Sequence, residues 1–95
     1  MRQYIADRQH YIIDRIEPKD GIIKTVHETI LGRECQIMTL KIGTRGWLLV
    51  DVGDHILGLH RIALSHVLSI EGEDDLCIHT ENTVYYLKKT ESEGE

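Results

Sequence analysis

The stretch "DLCIHTENTVYYLKK", residues 75 to 89, constrains the fold more than any other part of the chain. Runs rich in β-branched and aromatic residues flank a two-residue break at Glu81 and Asn82, which is the pattern of a tight hairpin. Asn is one of the few residues that accepts the positive φ used by such turns. The turn dictates a register in which Thr80 faces Thr83, Ile78 faces Tyr85 and Leu76 faces Leu87. On the other side His79 faces Val84 and Cys77 faces Tyr86. The first face is the more continuously apolar and is expected to turn inward.

The rest of the chain repeats this grammar of short apolar runs and turn formers. "QHYIIDRIE", residues 9 to 17, reads as a strand that ends at "PKDG", where Pro18 and Gly21 supply the fixed and the permissive φ of a reversal. "IIKTVHETIL", residues 22 to 31, alternates as a strand would, although neither of its two sides is wholly apolar. After Gly32 and Arg33, "ECQIMTLKI" offers Gln36, Met38, Leu40 and Ile42 as an inward face. "GTRG", Gly43 to Gly46, reads as a hairpin loop leading into "WLLVDV", in which Leu48, Val50 and Val52 share one face and Trp47, Leu49 and Asp51 the other. Gly72 marks a further reversal inside "LSIEGEDD". No stretch of ten or more residues carries a helical stripe.

The expectation is an all-β chain of six to seven short antiparallel strands. A small barrel, SH3-like or similar, or a two-layer sandwich would close their edges. Residues 1 to 89 are expected to form one domain, and 90 to 95, "TESEGE", a disordered acidic tail unable to offset its ordering entropy.

Charge narrows the range of partners. Residues 1 to 70 hold 9 basic and 8 acidic side chains, a balance of +1, whereas residues 71 to 95 hold 2 and 8, a balance of −6. No basic run occurs, so attraction to nucleic acid or to an anionic membrane lacks its usual source. No apolar run approaches the roughly 20 residues that span a bilayer. "MRQYIADRQ" has no apolar signal core, and Cys35 and Cys77 match neither a zinc spacing nor a C-x-x-C motif. Two free thiols in a reducing cytoplasm are expected, with a Cys35–Cys77 disulfide as the alternative if their strands are neighbours.

Three histidines in "DHILGLHRIALSHV" (His55, His60, His66) invite a metal reading. Ligand nitrogens must converge within about 2.1 Å of one ion, yet on a straight strand His60 and His66 lie roughly 20 Å apart at about 3.3 Å per residue. Convergence requires a bend near Ala63 to Ser65, bringing His60 or His66 toward His79, or ligands from elsewhere such as His27. His60, His66 and His79 are the candidate ligands, although no metal or other cofactor is expected. Asp51 and Asp54 in "DVGD" read as a strand end and turn rather than paired catalytic carboxylates. Ser65 and Ser69 sit in no nucleophile elbow. "GTRG" lacks the Lys-Ser/Thr continuation of a phosphate loop.

The segment "RIALSHVLSIEGEDDLCIHTENTVYYL", residues 61 to 87, resembles the strand, acidic turn and strand-pair pattern of bacterial PH-like domains and LytTR-type DNA-binding domains. The resemblance contains no specific motif and lacks the C-terminal helix of the PH-like fold, so no family follows from it. The reading reached is a noncatalytic module that binds protein or associates with itself, with Arg45, Trp47, Arg61 and Tyr86 as candidate contacts. The alternatives are a nucleic-acid-binding regulator using Arg33, Arg45, Arg61 and Trp47, and a histidine-based metal-binding protein.

Overall fold

The computed structural model describes residues 4–5, 9–54 and 58–90. The elements in chain order are β1 (Tyr4–Ile5), β2 (His10–Pro18), α1 (Thr25–Ile30), β3 (Glu34–Lys41), β4 (Arg45–Asp54), β5 (Gly58–Glu71), β6 (Leu76–Thr80) and β7 (Thr83–Lys89). Each strand from β2 to β7 pairs antiparallel with the next, and β7 returns to β2, which closes a six-stranded barrel. The two-residue β1 adds outside it, along the Leu40–Lys41 end of β3. Closure decides between barrel and sandwich, and it satisfies ladder groups that open edges would leave exposed.

The β6–β7 hairpin has the register read from its turn: Leu76 opposite Leu87, Cys77 opposite Tyr86, Ile78 opposite Tyr85 and His79 opposite Val84. Its inward face continues laterally. Ile70, Ile78, Tyr85 and Ile16 form one row across four strands, and Leu76, Leu87 and Ile13 another. On the other side Ile37, Leu48 and Ile62 align. The turn itself differs from expectation, since no described residue other than glycine has positive φ and Asn82 therefore does not use it. Thr80 closes the hairpin instead, its Oγ1 donating to the Thr83 carbonyl at 2.6 Å and accepting the Thr83 N–H at 3.1 Å.

Bulges re-phase β2, β3 and β5 between core residues that are three apart. Asp14 is an extra residue between Ile13 and Arg15, so that both Ile13 and Ile16 point inward. Met38 plays the same part in β3, and this corrects the expected inward face there. Cys35 and Ile37 are buried before the bulge and Leu40 after it, while Met38 is 41% exposed. In β5 the slips between Ala63 and His66, and again at Leu68, allow Leu64, Val67 and Ile70 all to face the core.

The first of these slips bends β5 as the sequence suggests, carrying it from β4 to β6. Gly46 belongs to β4 rather than to the loop. A Cβ there would lie 2.8 Å from Leu40 Cδ2 and 3.1 Å from Val67 Cγ2, so any larger residue would make these side chains shift. Arg45 likewise begins β4 rather than sitting at a loop tip. Gly72 supplies the reversal before β6 with φ +98.

The main departure is at residues 22 to 31, which contain a helix, not a strand. Alternation there would put apolar side chains on both faces, whereas one helical turn brings His27 and Ile30 to the same side. Both are buried. The Asp20 carboxylate accepts the Ile22 N–H at 2.9 Å and His27 Nδ1 accepts the Lys24 N–H at 3.2 Å, which satisfies backbone donors around the helix start. Among the described residues no helix is long and apolar enough to cross a membrane. Residues 91–95, most of the expected tail, lie outside the described residues, while Thr90 donates its N–H to the His10 carbonyl at 3.2 Å.

Candidate functional site

The four residues expected to make contacts divide between opposite sides of the barrel. On the outside of β3, β4 and β5, Trp47 lies between Thr39 and Ala63, and Leu49 between Gln36 and Arg61. Arg45 stands opposite His66 on the same pair of strands. Trp47 and Leu49 are half-buried, and Arg45 and Arg61 are exposed. Tyr86 is on β7, three strands away from β4 in either direction around the ring. Its hydroxyl donates to Glu17 Oε1 at 3.0 Å, and the Arg15 guanidinium, which also pairs with Glu17, lies 5.3 Å from the ring centroid. The bond to Glu17 pushes the Tyr86 hydroxyl above its ordinary pKa, so the phenol stays protonated.

Beside Tyr86 a surface cavity of about 330 Å³ is lined by Asp14, Glu71, Asp75, Cys77 and Lys88, among others. Cys77 Sγ is 3.4 Å from His79 Nε2. Burial raises the Cys77 pKa, with Glu71 adding to the effect, so this pair is a thiol beside an imidazole and not an activated thiolate. A smaller cavity of about 100 Å³ lies by His10, Glu34, Gln36, Leu49 and Asp51. There His10 Nδ1 is 2.8 Å from Glu34 Oε2, and its Nε2 is 2.8 Å from the Gln36 amide nitrogen. Both ring nitrogens are thereby engaged in holding β2 to β3.

The histidines do not gather. His60 is aligned with Val50 and Cys35 in an inward-facing row. His66 points outward with Nδ1 3.4 Å from Glu81 Oε1, and His79 stands beside Cys77. No group of three His, Cys, Asp or Glu among the described residues is placed to hold a metal ion. His55 lies outside the described residues, and so does the side chain of Asp54. Cys35 is on β3 and Cys77 on β6, which are not neighbours, and both are free thiols. Ser65 accepts the Asn82 N–H at 3.2 Å, a structural tie between β5 and the last turn.

Sequence reasoning missed the most exposed apolar surface. Ile22, Ile23, Val26 and Leu31 are 61%, 52%, 41% and 50% exposed. All belong to the connection from β2 to β3, whose inward positions are taken by His27 and Ile30. The signal was present in the apolar residues on both alternating sides of residues 22 to 31. Arg33, the remaining candidate cation, is exposed at the end of the same connection.

No model of a known protein family matches the chain. Searches of curated proteins and of solved structures likewise give no significant match.

Proposed function

We propose that the protein is a noncatalytic binding module that docks another polypeptide through the apolar β2–β3 connection. The exposure of Ile22, Ile23, Val26 and Leu31 carries this reading. None of these four belongs to the buried core cluster, which Ile30 joins, and removing their exposed surface from water on docking is favourable at about 25 cal/mol per Å². A closed barrel offers no long free strand edge, so a side-chain face suits it better than strand addition. The nucleic-acid reading has less support, because its cations are few and dispersed: Arg45 and Arg61 are on β4 and β5, Arg33 is at the end of the β2–β3 connection, and no basic run joins them.

The test is site-specific photo-crosslinking in the cells that make the protein. A photoreactive phenylalanine analogue in place of Ile23 or Val26 is expected to give discrete covalent adducts that the Ile22→Asp substitution suppresses. The same analogue in place of Arg61 or Glu73 should give few. Adducts of equal yield from all four positions, or none from the first two, would overturn the proposal. Mass analysis separates a second copy of the chain from a different protein.

A further inference from the structure

We propose that His27 is a proton-operated latch that holds α1 on the barrel and so regulates the β2–β3 connection as a docking face, an extension that rests on the docking reading above. Only two side chains of α1 are buried, His27 and Ile30, so the ring is one of two anchors. It is 5% exposed and meets the Tyr85 ring edge-on, with centroids 6.3 Å apart and planes at 76°. Its Nδ1 accepts the Lys24 N–H at 3.2 Å. An accepting Nδ1 carries no proton, which fixes the neutral ring as the Nε2–H tautomer.

Protonation places an N–H on Nδ1, where it faces the Lys24 N–H. Donor then meets donor, and the bond that ties the helix start to the ring is lost. It also places a charge among buried groups. The charged neighbours on the approach to α1 are Lys24, which opposes that charge, and Asp20, which partly offsets it. Tyr85, from β7, contributes a neutral phenol whose pKa is raised by burial. From β4, against which α1 packs, Leu48 and Val50 face inward while Arg45 and Asp51 are exposed. Burial, followed by Lys24, therefore lowers the His27 pKa from its ordinary 6.5. A histidine with a lowered native pKa holds α1 on the barrel at full strength above pH 6.5, and that hold weakens as pH drops from 6.5 toward the native value.

Nuclear magnetic resonance on the full chain tests the latch without any partner. At pH 7.5 the His27 nitrogens should report the Nε2–H tautomer. Between pH 7.5 and 5.5 the Glu28 and Leu31 amides, which bond to the Lys24 and His27 carbonyls, should lose exchange protection relative to Ile78 and Tyr85. After correction for intrinsic exchange, the loss should approach about tenfold for each pH unit between 6.5 and the native pKa. His27→Gln keeps an acceptor for the Lys24 N–H but cannot titrate, and it should abolish the pH dependence. Should that variant fail to fold, the wild-type Lys24 amide shift must follow the His27 titration.

A His27 that titrates at 6.5 with α1 protection unchanged would overturn the proposal, as would an equal acid loss in His27→Gln. The two proposals fail separately. Acid loosening of α1 without crosslinks from positions 23 and 26 leaves the latch and removes the docking face, while crosslinks from a helix whose protection is pH-independent do the reverse.

Discussion

The division of labour along α1 is open to a direct thermodynamic test in the pair Ile30→Ala and Val26→Ala. Ile30 is fully buried, and truncation removes three carbons. At about 0.8 kcal/mol per buried methylene this costs about 2.4 kcal/mol, and the residual cavity brings the loss to about 3 kcal/mol. Val26 loses two carbons but is already 41% exposed. Its loss is about 1 kcal/mol, of which about 0.5 kcal/mol is recovered because Ala favours helix over Val. For a domain of this size each kcal/mol moves the midpoint of thermal unfolding by about 4–8 °C. Ile30→Ala should therefore lower Tm by roughly 12–24 °C and Val26→Ala by no more than about 4 °C. Circular dichroism melts at pH 7.5, where His27 is neutral, provide the comparison. Equal shifts, or an Ile30→Ala protein within a few degrees of wild type, would refute the inward placement of Ile30 and with it the claim that Val26 is free for a partner.

The Thr80 hydroxyl serves both the N–H and the carbonyl of Thr83 inside the barrel. Thr80→Val keeps the shape but strands those two groups, at about 1–3 kcal/mol each, so it should cost about 2–6 kcal/mol. Thr80→Ser should cost only about 1 kcal/mol for the lost methyl. Urea unfolding ranks the two, and a Val variant as stable as the Ser variant would contradict the hydrogen bonding described. The thiols should also differ in access: Cys35 is buried, and burial and Glu34 push its pKa up to about 12, while Cys77, its pKa raised by burial and by Glu71, is only half-buried. A disulfide reagent at pH 8 should modify native Cys77 slowly and Cys35 only on unfolding, and loss of the slow phase in Cys77→Ser assigns it. Rapid modification of Cys35 in the folded protein would count against its inward position.

How far the sequence reveals this fold depends on the range of the interaction that decides each feature. The β6–β7 register is local, since one short turn and the period of two determine which residues meet. It was legible, and so was the reversal at Gly72. The inward face of β3 was misread because strict alternation was carried through Met38. The spacing of Ile37 and Leu40, like that of Ile13 and Ile16 and of Leu64, Val67 and Ile70, is three, not two. In a strand with one buried face such spacing points to a bulge, although the unbulged β7 also buries both Val84 and Leu87. Gly46 depends on side chains from β3 and β5 converging on it, which no window of sequence around "GTRG" contains.

The candidate site was less legible for a reason of topology. Arg45, Trp47 and Arg61 are drawn together by one strand pair, but closure through β2 and β7 sets Tyr86 on the far side. Without the strand order, four plausible contact residues look like one surface. The β2–β3 connection shows the complementary case. Apolar side chains on both alternating sides of residues 22 to 31 cannot all enter a one-sided strand, and a single helical turn admits only His27 and Ile30. The same pattern that defeats the strand leaves Ile22, Ile23, Val26 and Leu31 exposed to water, which is the surface the docking proposal calls on.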